Sequence, residues 1–181
     1  MNFKFVGNYQ VDVIKQKILE NGQNPWKENS VRQKIYDAHR ETQTIPLLWD
    51  LRSLQHNSVG EKTEYYDLYG VDNYFCDIKN ILKEFYGEGR IVRLILTKLK
   101  KNKKIYPHVD DTISLSLSNR IHIPIITNEN VVFLVGGESK TMLEGEMWEI
   151  NNLKEHSVSN DGRYDRIHLI VDYYASEKFR D

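Results

Sequence analysis

IVRLILTKLKKNKKIYPHVDDTISLSLSNRIHIPIITNENVVFLVGGES, residues 91–139, decides how the fold is read. Apolar residues recur here at every second position, the repeat of a half-buried strand. The segments IVRLILTKL (91–99), KIYPHVD (104–110), RIHIPIIT (120–127) and VVFLV (131–135) read as strands. KTMLE (140–144), EMWEI (146–150) and RIHLIVDYY (166–174) continue the series downstream. Gly136-Gly137, Gly145 and Asp161-Gly162 punctuate it as turns. Short strands at this spacing predict an antiparallel sandwich or barrel.

Upstream of residue 90 the repeat lengthens. Residues 9–20 place Tyr9, Val13, Ile14 and Ile18 at helical spacing, with Gly22 as the stop. In residues 72–86, Phe75, Ile78, Ile81, Leu82 and Phe85 form an apolar stripe after an N-cap candidate, Asp72, and Gly87 ends it. The expected plan is one domain over 1–181, with 1–89 as helical and mixed support and 90–174 as the β core.

Composition narrows the function. The 181 residues carry 25 Lys+Arg against 26 Asp+Glu, a formal net charge of -1. Such a balance argues against a nucleic-acid-binding domain. No apolar run is long enough to span a bilayer, and MNFKFVGNYQ lacks a signal-peptide core. A lone Cys76 cannot form an internal disulfide, and a cytoplasmic setting is expected. The dense basic run Lys98–Lys104 reads as a solvated loop, with an anion-binding patch as the minor reading.

Within KIYPHVD, His108 and Asp110 fall on one face of a strand and form a chelating pair. His156 follows EMWEI across a polar loop. Two histidines and one carboxylate on a β scaffold match the facial triad of non-haem Fe(II) oxygenases. Two near-copies accompany it, Arg120-Ile121-His122-Ile123 and Arg166-Ile167-His168-Leu169. In each, Arg and His share a face. Facing a barrel interior, such an arginine can grip a carboxylate through two parallel hydrogen bonds. On an exposed face it would pair with a neighbouring acid such as Asp165 or Asp172.

The stretch PHVD…RIHIPIITN…VVFLVGGES…LEGEMWEINN…HSVSN…DRIHLIVD resembles the aspartyl/asparaginyl β-hydroxylase family over roughly residues 90–174. Residues 26–47 resemble the upstream segment of bacterial members. The resemblance implies a double-stranded β-helix (a jelly-roll, cupin-like barrel), mainly β with flanking helices. It implies a hydroxylase dependent on Fe(II), 2-oxoglutarate and dioxygen. His108, Asp110 and His156 would be the iron ligands. Some animal members lack the carboxylate that this chain keeps. Arg166 would hold the distal carboxylate of 2-oxoglutarate, and Arg120 and His122 would line the metal-bound end. Thr97 would touch the distal carboxylate.

The expected reaction is hydroxylation of an aliphatic carbon of an amino acid, free or in a peptide or protein. A non-catalytic barrel that binds metal or a small carboxylate is the alternative, and a nucleic-acid-modifying oxygenase a distant third. Trp26, Arg32, Arg40 and Trp49 are the expected source of walls for the mouth. Gly145 reads as a turn glycine, Trp148 as core and Asn160 as serving a turn. His168 is open between the barrel lining and a hydrogen bond to a metal ligand, while His39 and His56 receive no role. A two-residue hairpin at Asp161-Gly162 would pair His156 with Ile167 and turn Arg166 away from His156. A site using both therefore demands a three- or five-residue loop, or a bulge, within 157–165.

Overall fold

The computed structural model describes residues 1–28, 37–49, 60–110 and 112–176. Eleven strands in them form two sheets. The strands are β1 (Phe3–Asn8), β2 (Thr42–Trp49), β3 (Glu61–Lys62), β4 (Gly89–Leu99), β5 (Lys103–His108) and β6 (Asn119–Ile126), followed by β7 (Val131–Val135), β8 (Glu138–Lys140), β9 (Glu146–Ile150), β10 (His156–Asn160) and β11 (Arg166–Ala175). The larger sheet runs β1-β9-β6-β11-β4-β2-β3 and the smaller β5-β10-β7-β8. All pairings are antiparallel. This is the expected jelly-roll plan, mainly β with helices on one side.

The helices are α1 (Asp12–Asn21), α2 (Asn24–Glu28), α3 (Tyr65–Leu68), α4 (Asp72–Tyr86) and α5 (Ile113–Leu117). All but the last pack on the outer face of the larger sheet. There Ile14, Ile18, Tyr74, Ile78 and Leu82 meet Ile121, Ile123, Leu94, Leu96 and Leu169 in one apolar cluster. Each such side chain contributes about 1.5–3 kcal/mol by leaving water. A second cluster lies between the sheets, where Leu99 and Ile150 meet Ile105, Phe133, Val135 and Val158. The larger sheet thus has an apolar outer face and a mixed inner face, and that inner face carries the chemistry.

Several local expectations need correction. In α4 the stripe is rotated: Tyr74, Ile78 and Leu82 are buried, whereas Phe85 is 39% exposed. Asp72 does not cap the helix; Tyr66 donates its hydroxyl to Asp72 Oδ1 at 2.8 Å. Val13 faces solvent on α1. KTMLE pairs only as far as Lys140, because the chain then leaves the smaller sheet for β9 in the larger one. The first half is not merely support, since β1 and β2 lie within the larger sheet. Gly145 matches its reading: its φ is +81°, and a Cβ there would lie 2.6 Å from the Tyr9 carbonyl oxygen.

His156 and Arg166 are not joined by a hairpin at all. β10 and β11 belong to different sheets, and residues 161–165 carry the chain across the barrel. Five residues link them, so one of the expected loop lengths is present, but as a crossover. Asn160 anchors it: its side-chain Nδ2 donates to the carbonyls of Leu99 (3.2 Å) and Tyr164 (2.9 Å), and its Oδ1 accepts from the Gly162 N–H (3.2 Å).

Candidate active site and metal centre

His108 and His156 stand directly opposite each other in the β5–β10 pair. Their ring centroids are 4.2 Å apart. Each ring donates Nδ1–H to a backbone carbonyl, His108 to Tyr106 (2.8 Å) and His156 to Lys154 (2.9 Å). A carbonyl can only accept, so both protons sit on Nδ1 and both Nε2 lone pairs are available to a metal. Burial and the neighbouring His108 hold the His156 pKa below its ordinary value.

Asp110 completes the group by a route other than strand alternation. β5 ends at His108, and Asp110 lies just beyond it, where its N–H donates to the Asn152 carbonyl at 3.0 Å. Asp110 Oδ1 is 3.9 Å from His108 Nε2 and Oδ2 is 3.7 Å from His156 Nε2. One ligand atom from each residue lies within 4.8 Å of the other two. Two imidazoles and one carboxylate are the donor set of a non-haem Fe(II) site.

A pocket runs inward from this group along the inner face of the larger sheet, and Thr97, Arg120, His122, Phe133 and Arg166 line it. Arg166 is 1% exposed, yet no acid pairs with it among the described residues. Its Nη1 reaches Thr97 Oγ1 at 3.5 Å, while Nε and Nη2 have no partner. Burial alone pulls its pKa down to about 9. Its guanidinium lies over the Phe133 ring at 5.1 Å, but a buried cation without a counter-charge is still costly, and an anion placed against it offsets that cost. His122 lies between the Arg120–Asp172 rung and Arg166 along the sheet, and both of its ring nitrogens lack a partner among the described residues. Burial and the positive charge of Arg166 hold it neutral.

Arg120 has a different environment. It donates through Nε and Nη2 to the two oxygens of Asp172, at 2.9 and 3.0 Å, and through Nη1 to Asp110. Burial works against its charge, but the two carboxylates outweigh it and raise the pKa above the ordinary value. His168 is fully buried, stacked on Phe133 at 5.4 Å and 5.9 Å from His122. It therefore lines the barrel, and neither ring it packs against belongs to the His108–Asp110–His156 group. 

The expected mouth residues separate. Trp26 is buried on the outer side of the sheet, beneath Lys98 Nζ at 4.2 Å, and belongs to the core. Arg40 lies over the Tyr106 ring (4.5 Å), and Trp49 lies beside Arg93 (5.5 Å). Arg32 and His56 lie outside the described residues. Lys98 is not part of a solvated loop: it is 1% exposed and bonds Gln23 Oε1 at 2.7 Å. Trp148 is only partly buried, and its ring N–H donates to Glu146 at 2.9 Å. His39 was missed. Its ring meets His108 edge-on at 4.8 Å, and it lines the pocket. Nothing local in the sequence marks it, because the 3-10 turn Asp37–His39 reaches the site only by packing on β5.

The family model for aspartyl/asparaginyl β-hydroxylases matches residues 14–176, and the chain belongs to that family. It is accordingly a hydroxylase that uses Fe(II), 2-oxoglutarate and dioxygen. Among solved structures it is similar to a 2OG-Fe(II) oxygenase family oxidoreductase from Burkholderia pseudomallei, with 15% identity over 74% of this chain and 68% of that one, TM-score 0.58. It is also similar to a Pseudomonas putida prolyl-4-hydroxylase, with 11% identity over 96% of this chain and 92% of that one, TM-score 0.57. A 2OG complex of a collagen prolyl hydroxylase from Paramecium Bursaria Chlorella virus-1 resembles it at 8% identity over 96% of both chains, TM-score 0.53. No curated protein matches it in sequence. Among the described residues no helix is long and apolar enough to cross a membrane.

Proposed function

We propose that the protein hydroxylates an aliphatic carbon of an amino acid, free or within a peptide or protein, with His108, Asp110 and His156 as the iron ligands. The carrying observation is the buried Arg166 guanidinium, without an acid partner among the described residues, in the same pocket as the triad. A dicarboxylate that meets the metal at one end and Arg166 at the other satisfies both ends of that pocket. Thr97 stands beside Arg166 for the distal carboxylate, and His122 serves the metal-bound end. Arg120, grouped with His122 on sequence, borders the same pocket but spends three N–H donors on Asp172 and Asp110.

Bound iron and 2-oxoglutarate supply the oxidising power that places one oxygen atom of dioxygen in a C–H bond, while the cosubstrate loses carbon dioxide and becomes succinate. The chain supplies placement and dryness. Backbone carbonyls aim both imidazoles, and Phe133, Ile170 and Val158 keep water from the pocket walls. No nucleophile or general base is needed. At the metal end His39 lines the pocket against His108, and the Arg40–Tyr106 pair stands on the adjoining turn and strand; such polar, cationic and aromatic groups suit a polar, carboxylate-bearing substrate better than an extended apolar chain. Similarity to prolyl hydroxylases supports an amino-acid substrate class.

The interleaving of both halves in one sheet supports treating 1–181 as a single oxygenase unit. The exposed, unpaired Cys76 fits a reducing compartment, and we place the protein in the cytoplasm. The test is a screen of amino acids and peptides with Fe(II) and 2-oxoglutarate, read by succinate formation and product mass. A product one oxygen heavier is expected. Oxidation confined to nucleobases or lipids would overturn the substrate class, and metal or 2-oxoglutarate binding without turnover of any substrate would favour the binding-protein alternative.

A further inference from the structure

Asp172 occupies an unusual position. It lies on β11 directly opposite Arg120 of β6 on one side and Arg93 of β4 on the other. It is fully buried. Both of its oxygens accept from Arg120, and Oδ2 is 3.6 Å from Arg93 Nε. Arg93 also donates to Ser114 Oγ. The result is one rung of the sheet reading Arg93–Asp172–Arg120, on the inner face that also carries the pocket. Buried ion clusters of this kind are poor sources of stability, since desolvation offsets most of the attraction.

What the rung does supply is orientation. Two parallel hydrogen bonds to one carboxylate fix the plane of a guanidinium. With that plane fixed, the remaining N–H direction of Arg120 points at Asp110 Oδ2 and engages it. The engaged Oδ2 is 3.7 Å from His156 Nε2, and Oδ1, which Arg120 does not engage, is 3.9 Å from His108 Nε2, so Arg120 holds one oxygen and leaves the other to face a metal.

We propose that Asp172 is a positioning residue for the metal site: through Arg120 it holds Asp110 so that this carboxylate offers a metal one oxygen, leaving the other positions to cosubstrate and dioxygen. The proposal rests on the triad reading above. It gives Arg120 a task that does not require contact with 2-oxoglutarate.

Co(II) tests it, because its visible absorption reports the geometry of its ligands independently of turnover. Removing Asp172 alone would leave two arginines facing each other, so the informative variant is the double Asp172→Asn/Arg93→Met, which keeps the buried net charge. It should bind Co(II) about 10–100-fold more weakly than the unaltered protein, the range typical when the support of a metal ligand is removed. Its absorption bands should also shift. Arg120→Lys, a cation that cannot span both carboxylates, should show the same shift. Arg93→Met alone leaves the Arg120–Asp172 fork intact and should bind Co(II) like the unaltered protein, with the same bands. Unchanged affinity and bands in the double variant and in Arg120→Lys would overturn the positioning role while leaving the triad standing. Failure of the unaltered protein to bind Co(II) at all would overturn both.

Discussion

Arg120 and Arg166 open two nearly identical segments, RIHI and RIHL, on neighbouring strands of one sheet, yet they occupy opposite electrostatic situations. Arg120 is held by two carboxylates, while Arg166 is as deeply buried with no acid against it among the described residues. The antiparallel register causes the difference. It brings Asp172 opposite Arg120, whereas Arg166 sits opposite Leu99. One arginine is therefore part of the fold's own charge balance. The other has no acid partner among the described residues, and this is why we propose it as the anchor for an anion.

The contrast can be broken most severely where the two environments meet. His156→Ala should abolish iron-dependent turnover and leave the fold intact, read by succinate release and by circular dichroism; full activity would remove the triad assignment. Next in size, the two arginines should respond with opposite signs when replaced by methionine. Arg120→Met should destabilise the ligand-free protein by about 3–5 kcal/mol in denaturant unfolding, because two buried carboxylates lose their counter-charge. Arg166→Met should instead stabilise it by about 1–4 kcal/mol, because an unpaired buried charge disappears. In calorimetry the same Arg166 variant should bind 2-oxoglutarate more than tenfold more weakly, since truncating one partner of a buried charge pair costs about 2–5 kcal/mol. Equal destabilisation by both changes would erase the distinction.

The smallest expected effect sharpens the comparison from the other side of the sheet. Lys98 is buried on the outer face beside Trp26, and burial pulls its pKa down to about 8 from an ordinary 10.5. Below pH 8 it is charged in both states, and the folded state carries the full penalty. Between about 8 and 10.5 the unfolded chain holds more protons, so the penalty fades and stability rises with pH. Lys98→Met should thus gain about 1–3 kcal/mol at neutral pH, and that gain should shrink as pH rises through this window. A constant gain at every pH would show that packing, not charge, is responsible.

Much of this was legible in the chain. The period-two alternation from residue 90 and the turn glycines marked the strands, because a strand on a barrel must alternate between core and lining. Same-face pairing of Arg with His survived in both RIH segments. The pairing of His108 with Asp110 was found, but for a reason the sequence did not contain: Asp110 is placed by a hydrogen bond to Asn152, not by strand alternation. The five-residue link over 161–165 has one of the expected lengths, but it is a crossover, because the turn dipeptide Asp161-Gly162 does not say whether the chain pairs back or crosses to the other sheet. His39 carried no signal at all.

The sequence by itself determined which residues could alternate, which types could ligate a metal or hold an anion, and where the chain could turn. Those are local properties, set by side-chain chemistry and backbone preference. Only the tertiary structure decided that β10 and β11 lie in different sheets, that Asp172 stands between Arg93 and Arg120, and that Arg166 has no such neighbour among the described residues. Register between strands far apart in sequence depends on how two hydrophobic clusters bury together, and the charge environment of each arginine follows from that register.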